Sequence, residues 1–213
     1  AGFRTVVVGP DTLVTARQRL VPADRDGERA VLRDHFVARY GRQRAGDLAR
    51  LFASERPRMV VCDEADAGAV VAAERMGVPC VTVIVLAAGR MTTPALLGAA
   101  WSGLRRDHGL PADPALERFG GWLRLLPAPL SFRGPELPQP ASLRAVRHPV
   151  LDDVVPADGA PLVYATLGTV FNLESGDLPE RLLAAAGRLD VDVLVTSGPG
   201  LAPHELPSVP VHV

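Results

Sequence analysis

The stretch Met59-Val-Val-Cys-Asp-Glu-Ala-Asp-Ala-Gly-Ala-Val-Val-Ala-Ala-Glu-Arg-Met-Gly-Val-Pro-Cys-Val-Thr-Val83 constrains the fold more than any other part of the 213-residue chain. Met59 to Cys62 is a short apolar strand. Ala67 to Met76 is an alanine-rich helix, with Gly77 and Pro79 where a helix stop is expected. Cys80 to Leu86 reads as a second strand. Strand, helix and strand in so short a span form a βαβ unit, with parallel strands and a right-handed connection.

The same alternation resumes late in the chain, with a strand at Leu162 to Thr166, a helix at Leu178 to Leu189 and a strand at Val191 to Thr196. Between the two runs stand Pro127, Pro129, Pro135, Pro138, Pro140, Pro149 and Pro156, which leave room for short extended pieces and for no long helix. The chain therefore reads as a first domain over residues 1–148, a linker over 149–160 and the start of a second α/β domain over 161–213. Near the beginning, Phe3 to Val8 is β-branched and meets the turn Gly9-Pro-Asp, which predicts a buried strand. Val31, Leu32, Phe36, Val37, Tyr40, Leu48 and Leu51 then recur at helical spacing. They predict a helix from about Glu28 to Phe52, bent or broken at Gly41 and Gly46 and ended by Arg56-Pro57.

Charge excludes some functions. With 23 basic and 24 acidic residues the formal charge is -1, which argues against nucleic acid or an anionic membrane as the main partner. No apolar run reaches the roughly 18 residues of a membrane span. Cys62 and Cys80 lack the spacing of a zinc site or a disulfide framework and read as buried thiols in a reducing cytoplasm. The five histidines, His35, His108, His148, His204 and His212, have no partner at metal or catalytic spacing. The expectation is a soluble cytoplasmic protein without a metal.

Two quoted stretches carry a family resemblance. "RPRMVVCDEADAGAVVAAERMGVPCVTV" (Arg56 to Val83) resembles the N-terminal domain of family 1 glycosyltransferases, nucleotide-sugar enzymes of GT-B fold. "PLVYATLGTVFN" followed by "LDVDVLVTSGPG" resembles the opening strands of their C-terminal, donor-binding domain. The likeness is strongest to actinobacterial enzymes that decorate macrolides, enediynes and similar natural products. It implies a GT-B type α/β fold: a Rossmann-like parallel-sheet N-terminal domain plus the first part of a second Rossmann-like domain. Two family signatures, an N-terminal Gly-His turn and a late His-Gly-Gly segment, are not found in the sequence. The chain is therefore expected to be an internal piece of such an enzyme, inactive by itself.

The resemblance also implies roles. Asp63, at a strand's carboxyl end, matches the aspartate that orients a base histidine, and a helix N-cap is the competing role. Thr166, Gly168 and Thr169 match the turn that approaches the donor diphosphate, where backbone amides and hydroxyls hold an anion without a lysine. Ser197 and Gly198 match a loop near the nucleotide base or ribose. Trp101 and Trp122 lie in a region that walls the acceptor pocket, although core packing suits either. Glu64 and Asp66 read as solvated acids at a helix start, and Arg39 to Arg44 as a solvated basic face. The implied partners are a nucleotide sugar (UDP or TDP type) and a small hydrophobic aglycone, with a homodimer left open and no cofactor. The implied reaction is sugar transfer to a hydroxyl, inverting and metal-independent. A non-catalytic helper of the same fold and a nucleotide-sugar epimerase are the rival readings.

Overall fold

A computed structural model describes residues 2–10, 16–20, 22–146, 161–168 and 172–196. The chain divides into two compact units, Ala1–Pro10 with Asp24–Val150, and Asp11–Ala23 with Leu151–Val213.

In the first unit β1 (Val60–Asp63), β2 (Cys80–Val83), β3 (Leu123–Leu126) and β4 (Leu143–Ala145) form one sheet in that spatial order, and all three neighbouring pairs are parallel. The helix α3 (Ala67–Arg75) joins β1 to β2, so the βαβ unit expected from the sequence is present. Its residues 67 to 73 are all buried, and only alanine, glycine and valine occupy that run. The next connection carries α4 (Pro94–Asp107), which the sequence reading passed over because Gly98 and Gly103 interrupt its pattern. Thr93 supplies its N-cap and Pro94 its first turn, where the missing N–H costs nothing.

Upstream, α1 (Arg25–Ala30), a π-helical stretch (Val31–Tyr40) and α2 (Gly41–Glu55) run on continuously. Arg56 then takes a left-handed φ of 49° ahead of Pro57 and stops the helix. The glycines expected to break this helix do not. Gly68 instead lets α3 approach α2, since a Cβ there would stand 2.7 Å from the Gly41 carbonyl oxygen, and Gly41 makes room for Leu104 of α4, whose Cδ2 would stand 2.9 Å from a Cβ on Gly41.

Val37, Val71, Leu97, Trp101 and Leu104 form the fully buried centre between helices and sheet. Trp101 meets Phe119 edge-on at 5.0 Å and donates to Asp113 Oδ2 at 2.9 Å. Asp113 also accepts from the Glu117 and Arg118 amides at 3.0 and 2.8 Å. Burial pushes its carboxyl up, but these hydrogen bonds outweigh it and leave the group below the usual range. Arg105 lies 5.2 Å from the Trp101 ring and forks onto Glu74 at 2.5 and 3.0 Å.

Phe3 to Val8 is a correction to the sequence reading: no strand forms there, and Phe3 is wholly exposed. A strand needs a ladder partner, and no described residue pairs with this segment. It is tied to α2 instead, by Arg4 to Glu55 at 2.6 Å and by Arg44 Nη1 donating to the Val8 carbonyl at 3.1 Å.

The second unit pairs β5 (Leu162–Thr166) and β6 (Asp192–Thr196) in parallel, with α5 (Leu178–Ala186) between them in sequence. Residues 16–20 dock here, which no sequence signal announced: the Gln18 amide donates to the Leu173 carbonyl at 2.6 Å, and Arg17 Nη2 donates to both Glu180 carboxylate oxygens at 2.7 and 2.6 Å.

The two glycine environments predict opposite outcomes. Gly68→Ala pushes a methyl into the α2 backbone and should destabilise the chain by about 1–3 kcal/mol. Gly46→Ala adds its methyl to a helix position with only the Arg50 tip at 3.8 Å and should stabilise by up to about 1 kcal/mol. Urea unfolding of both variants checks this, and equal effects would refute the close helix approach.

Candidate functional site

At the carboxyl end of β1 the chain turns before entering α3. Asp63 is exposed there, and its Oδ1 accepts from the Ala65 amide at 2.7 Å. It therefore caps its own turn. The N-cap of α3 is Asp66, whose Oδ1 accepts from Ala69 N at 3.0 Å, so the capping role weighed for Asp63 passes to Asp66.

Asp66 and Glu64 are further corrections, because neither is a solvated acid. Asp66 takes a two-point contact from Arg44, with Nε at 3.0 Å from Oδ1 and Nη2 on Oδ2. Arg44 thus leaves the solvated basic face expected of residues 39 to 44, whereas Arg42 stays outside and pairs with Asp107. The Gly9 amide donates to Asp47 Oδ2 at 3.2 Å. Residues 8 and 9 are consequently held to α2.

Glu64 is buried. Its Oε1 accepts from the Val85 and Leu86 amides at 2.7 and 2.5 Å, and its Oε2 from the Thr92 hydroxyl at 3.2 Å. Burial raises its carboxyl above the ordinary range, against the lowering effect of the Leu86, Val85 and Thr92 donors. A sequence signal was available: the strand's alternation, extended one step, puts Glu64 on the face of Val60 and Cys62 and Asp63 on that of Val61.

The second unit presents another strand end. Thr166 and Thr196 are register partners at the carboxyl ends of β5 and β6, with the Thr196 hydroxyl donating to Thr166 Oγ1 at 2.6 Å. Tyr164 OH stands 3.4 Å from Thr196 Oγ1, and the Gly168 amide donates to Thr166 Oγ1 at 3.1 Å. These hydroxyls lower the Tyr164 phenol from its ordinary range. Gly168 has φ 69° with open space around its missing Cβ, so the turn geometry and not crowding calls for glycine. Thr166 and Gly168 are thus brought together, and Thr196 joins them without having been singled out. Thr169, Ser197 and Gly198 lie outside the described residues.

The tryptophans separate. Trp101 is fully buried in the core and offers no face to a ligand. Trp122 is 72% exposed, but its amide bonds the Cys80 carbonyl, which places it at the amino end of the sheet, away from Asp63. Cys62 and Cys80 are free thiols with Sγ atoms 3.8 Å apart. His35 lies in the π-helical stretch, and His108 caps α4 with Nδ1 3.3 Å from Arg75 Nη1. His148, His204 and His212 fall outside the described residues. Among the described residues no three His, Cys, Asp or Glu side chains group as a metal site, and no helix is long and apolar enough to cross a membrane.

No protein-family model and no curated protein sequence matches the chain. Solved structures do. The glycosyltransferase SnogD from Streptomyces nogalater is 25% identical, with TM-score 0.53 over 82% of this chain and 48% of that one. The calicheamicin glycosyltransferase CalG4 gives TM-score 0.57 at 21% identity, over 89% of this chain and 52% of that one. The spinosyn rhamnosyltransferase SpnG, solved with thymidine diphosphate, gives 0.53 at 21%, over 80% and 49%. The chain spans about half the length of these proteins and carries their parallel-sheet α/β fold, that of GT-B glycosyltransferases.

Asp66 joins a cap to an ion pair, and two substitutions separate them. Asp66→Asn keeps a capping oxygen and gives up the charge, whereas Asp66→Ala gives up both. The alanine variant should be the less stable by about 1 kcal/mol in urea unfolding, and equal losses would leave the cap without weight.

Proposed function

We propose that the protein containing this chain is a glycosyltransferase, which moves a sugar from a uridine or thymidine diphosphate donor to a hydroxyl of a small, largely apolar natural product. The carrying observation is Asp63, exposed at the carboxyl end of β1 in a chain like SnogD over most of its length. In open parallel α/β sheets ligands gather at the carboxyl ends of the strands.

In this reading a histidine base takes the acceptor hydroxyl's proton, and Asp63 fixes its tautomer and stabilises the cation it becomes. The oxygen attacks the anomeric carbon from the side opposite the diphosphate, so the centre inverts. Thr166, Gly168 and Thr169 hold the departing diphosphate, and Ser197 and Gly198 the nucleoside. Neutral donors aimed at the developing charge supply the stabilisation, with no metal assigned a part. The row of Tyr164, Thr166 and Thr196 hydroxyls across the neighbouring strands β5 and β6 supports this assignment.

Asp63→Asn in the complete transferase tests it. The amide can still hydrogen-bond the histidine but cannot stabilise its cation. Turnover with both substrates saturating should fall roughly a hundredfold or more, while thermal unfolding and thymidine diphosphate affinity by calorimetry stay at the parent values. Unchanged turnover would remove Asp63 from the mechanism.

A further inference from the structure

Directly after β2 the backbone enters a conformation that only a firm hold sustains. Ala87, Ala88 and Gly89 have φ values of 45°, 56° and 86°, three successive left-handed residues of which two carry a Cβ. In this conformation the alanine Cβ crowds the following carbonyl oxygen, so the surrounding groups must keep the loop there. Three do so. Glu64 accepts the amides of Val85 and Leu86, immediately before the left-handed run. Arg133 Nη1 donates to the Ala88 carbonyl at 2.6 Å, inside the run. The Ala88 methyl packs on the small cluster of Ile84, Leu126 and Leu143.

The loop held in this way flanks Asp63. Asp63 is the register partner of Val83, and Ile84 continues the ladder by donating to the Leu125 carbonyl at 2.8 Å. The alternation therefore puts Val85 on the face of Val83 and Asp63, where it is 57% exposed. One carboxylate, Glu64, thus fixes the amide of Val85, a residue on the same face as the exposed carboxylate Asp63 and two past its register partner.

We infer that Glu64 and Arg133 are positioning residues for the acceptor: by holding residues 85–89 they keep Val85 as a fixed apolar wall on Asp63's face of the sheet, against which the carbon skeleton next to the reacting hydroxyl is seated. This rests on the transferase reading above. The wall selects an acceptor that is apolar around that hydroxyl, and its rigidity means that the acceptor does not have to order the loop on binding.

Three variants of the complete transferase test this. Glu64→Ala leaves two adjacent amides without their acceptor, and the acceptor KM should rise roughly tenfold or more, with donor KM unchanged. Glu64→Gln keeps one oxygen for both amides and should restore the acceptor KM to near the parent value. Val85→Ser keeps the hold and removes the apolar surface, so it should raise the acceptor KM while amide exchange at 85 and 86 stays slow. Exchange at those amides should quicken only in Glu64→Ala. The inference is overturned if acceptor KM is unmoved in Glu64→Ala although the amides exchange faster, or if donor and acceptor KM rise together. A parent protein that transfers no sugar refutes the function instead. The hold is then judged by amide exchange in the 213-residue chain, where slow exchange in Glu64→Ala refutes it.

Discussion

Taking the Glu64 carboxylate out of water costs on the order of several kcal/mol unless donors replace the lost solvent. Two backbone amides and a hydroxyl do so, all from the segment that leaves β2. The arrangement ties β1 to its neighbour beyond the last ladder bond. Because Glu64 turns inward, Asp63 before it turns outward, and the sheet's carboxyl edge gains one buried and one exposed carboxylate in succession. The same turn then spends a third acid, Asp66, on capping α3 and holding Arg44. Three acids within four residues therefore have three different environments, and only the exposed one is open to a substrate.

Legibility in the sequence followed periodicity. The βαβ unit was readable because apolar runs, a small-residue helix and its Gly and Pro stops agree at every level. The strand expected at Phe3 to Val8 was read from composition alone, which cannot supply the partner that a strand requires. The helix α4 is hidden in part because Gly98 faces another part of the fold: a Cβ on it would stand 2.4 Å from the Pro114 carbonyl oxygen. Glycine there marks a close approach and not a break, as at Gly41 and Gly68. Glu64 was misread because an acid after a strand looks like a helix start, and only the strand's own alternation, carried one residue further, reveals it.

The aromatic residues illustrate the same limit. Trp101 and Trp122 look alike in the sequence, but the Trp101 indole N–H has a buried acceptor in Asp113, which lets the whole ring enter the core. Its Arg105 neighbour is satisfied in turn by Glu74 and the Pro111 carbonyl, so no polar atom of this group needs water. Such a set of bonds is made between residues distant in sequence, and spacing carries no sign of it.

In the proposed reaction the strand ends of the second unit face a different electrostatic problem. A departing diphosphate can be stabilised by a cation or by neutral dipoles, and the side chains described at this sheet edge are the hydroxyls of Tyr164, Thr166 and Thr196. Hydroxyls and amides bind it through several weaker dipoles. In the proposed reaction Thr166 offers a hydroxyl already engaged by Thr196 and by the Gly168 amide, so its orientation is set before any ligand arrives. The open space around Gly168 leaves that turn accessible, and its left-handed φ aims the backbone without a side chain in the way. Preorganised neutral donors of this kind stabilise charge as it forms and require no rearrangement to release it, which suits a turn on which the departing group carries the charge.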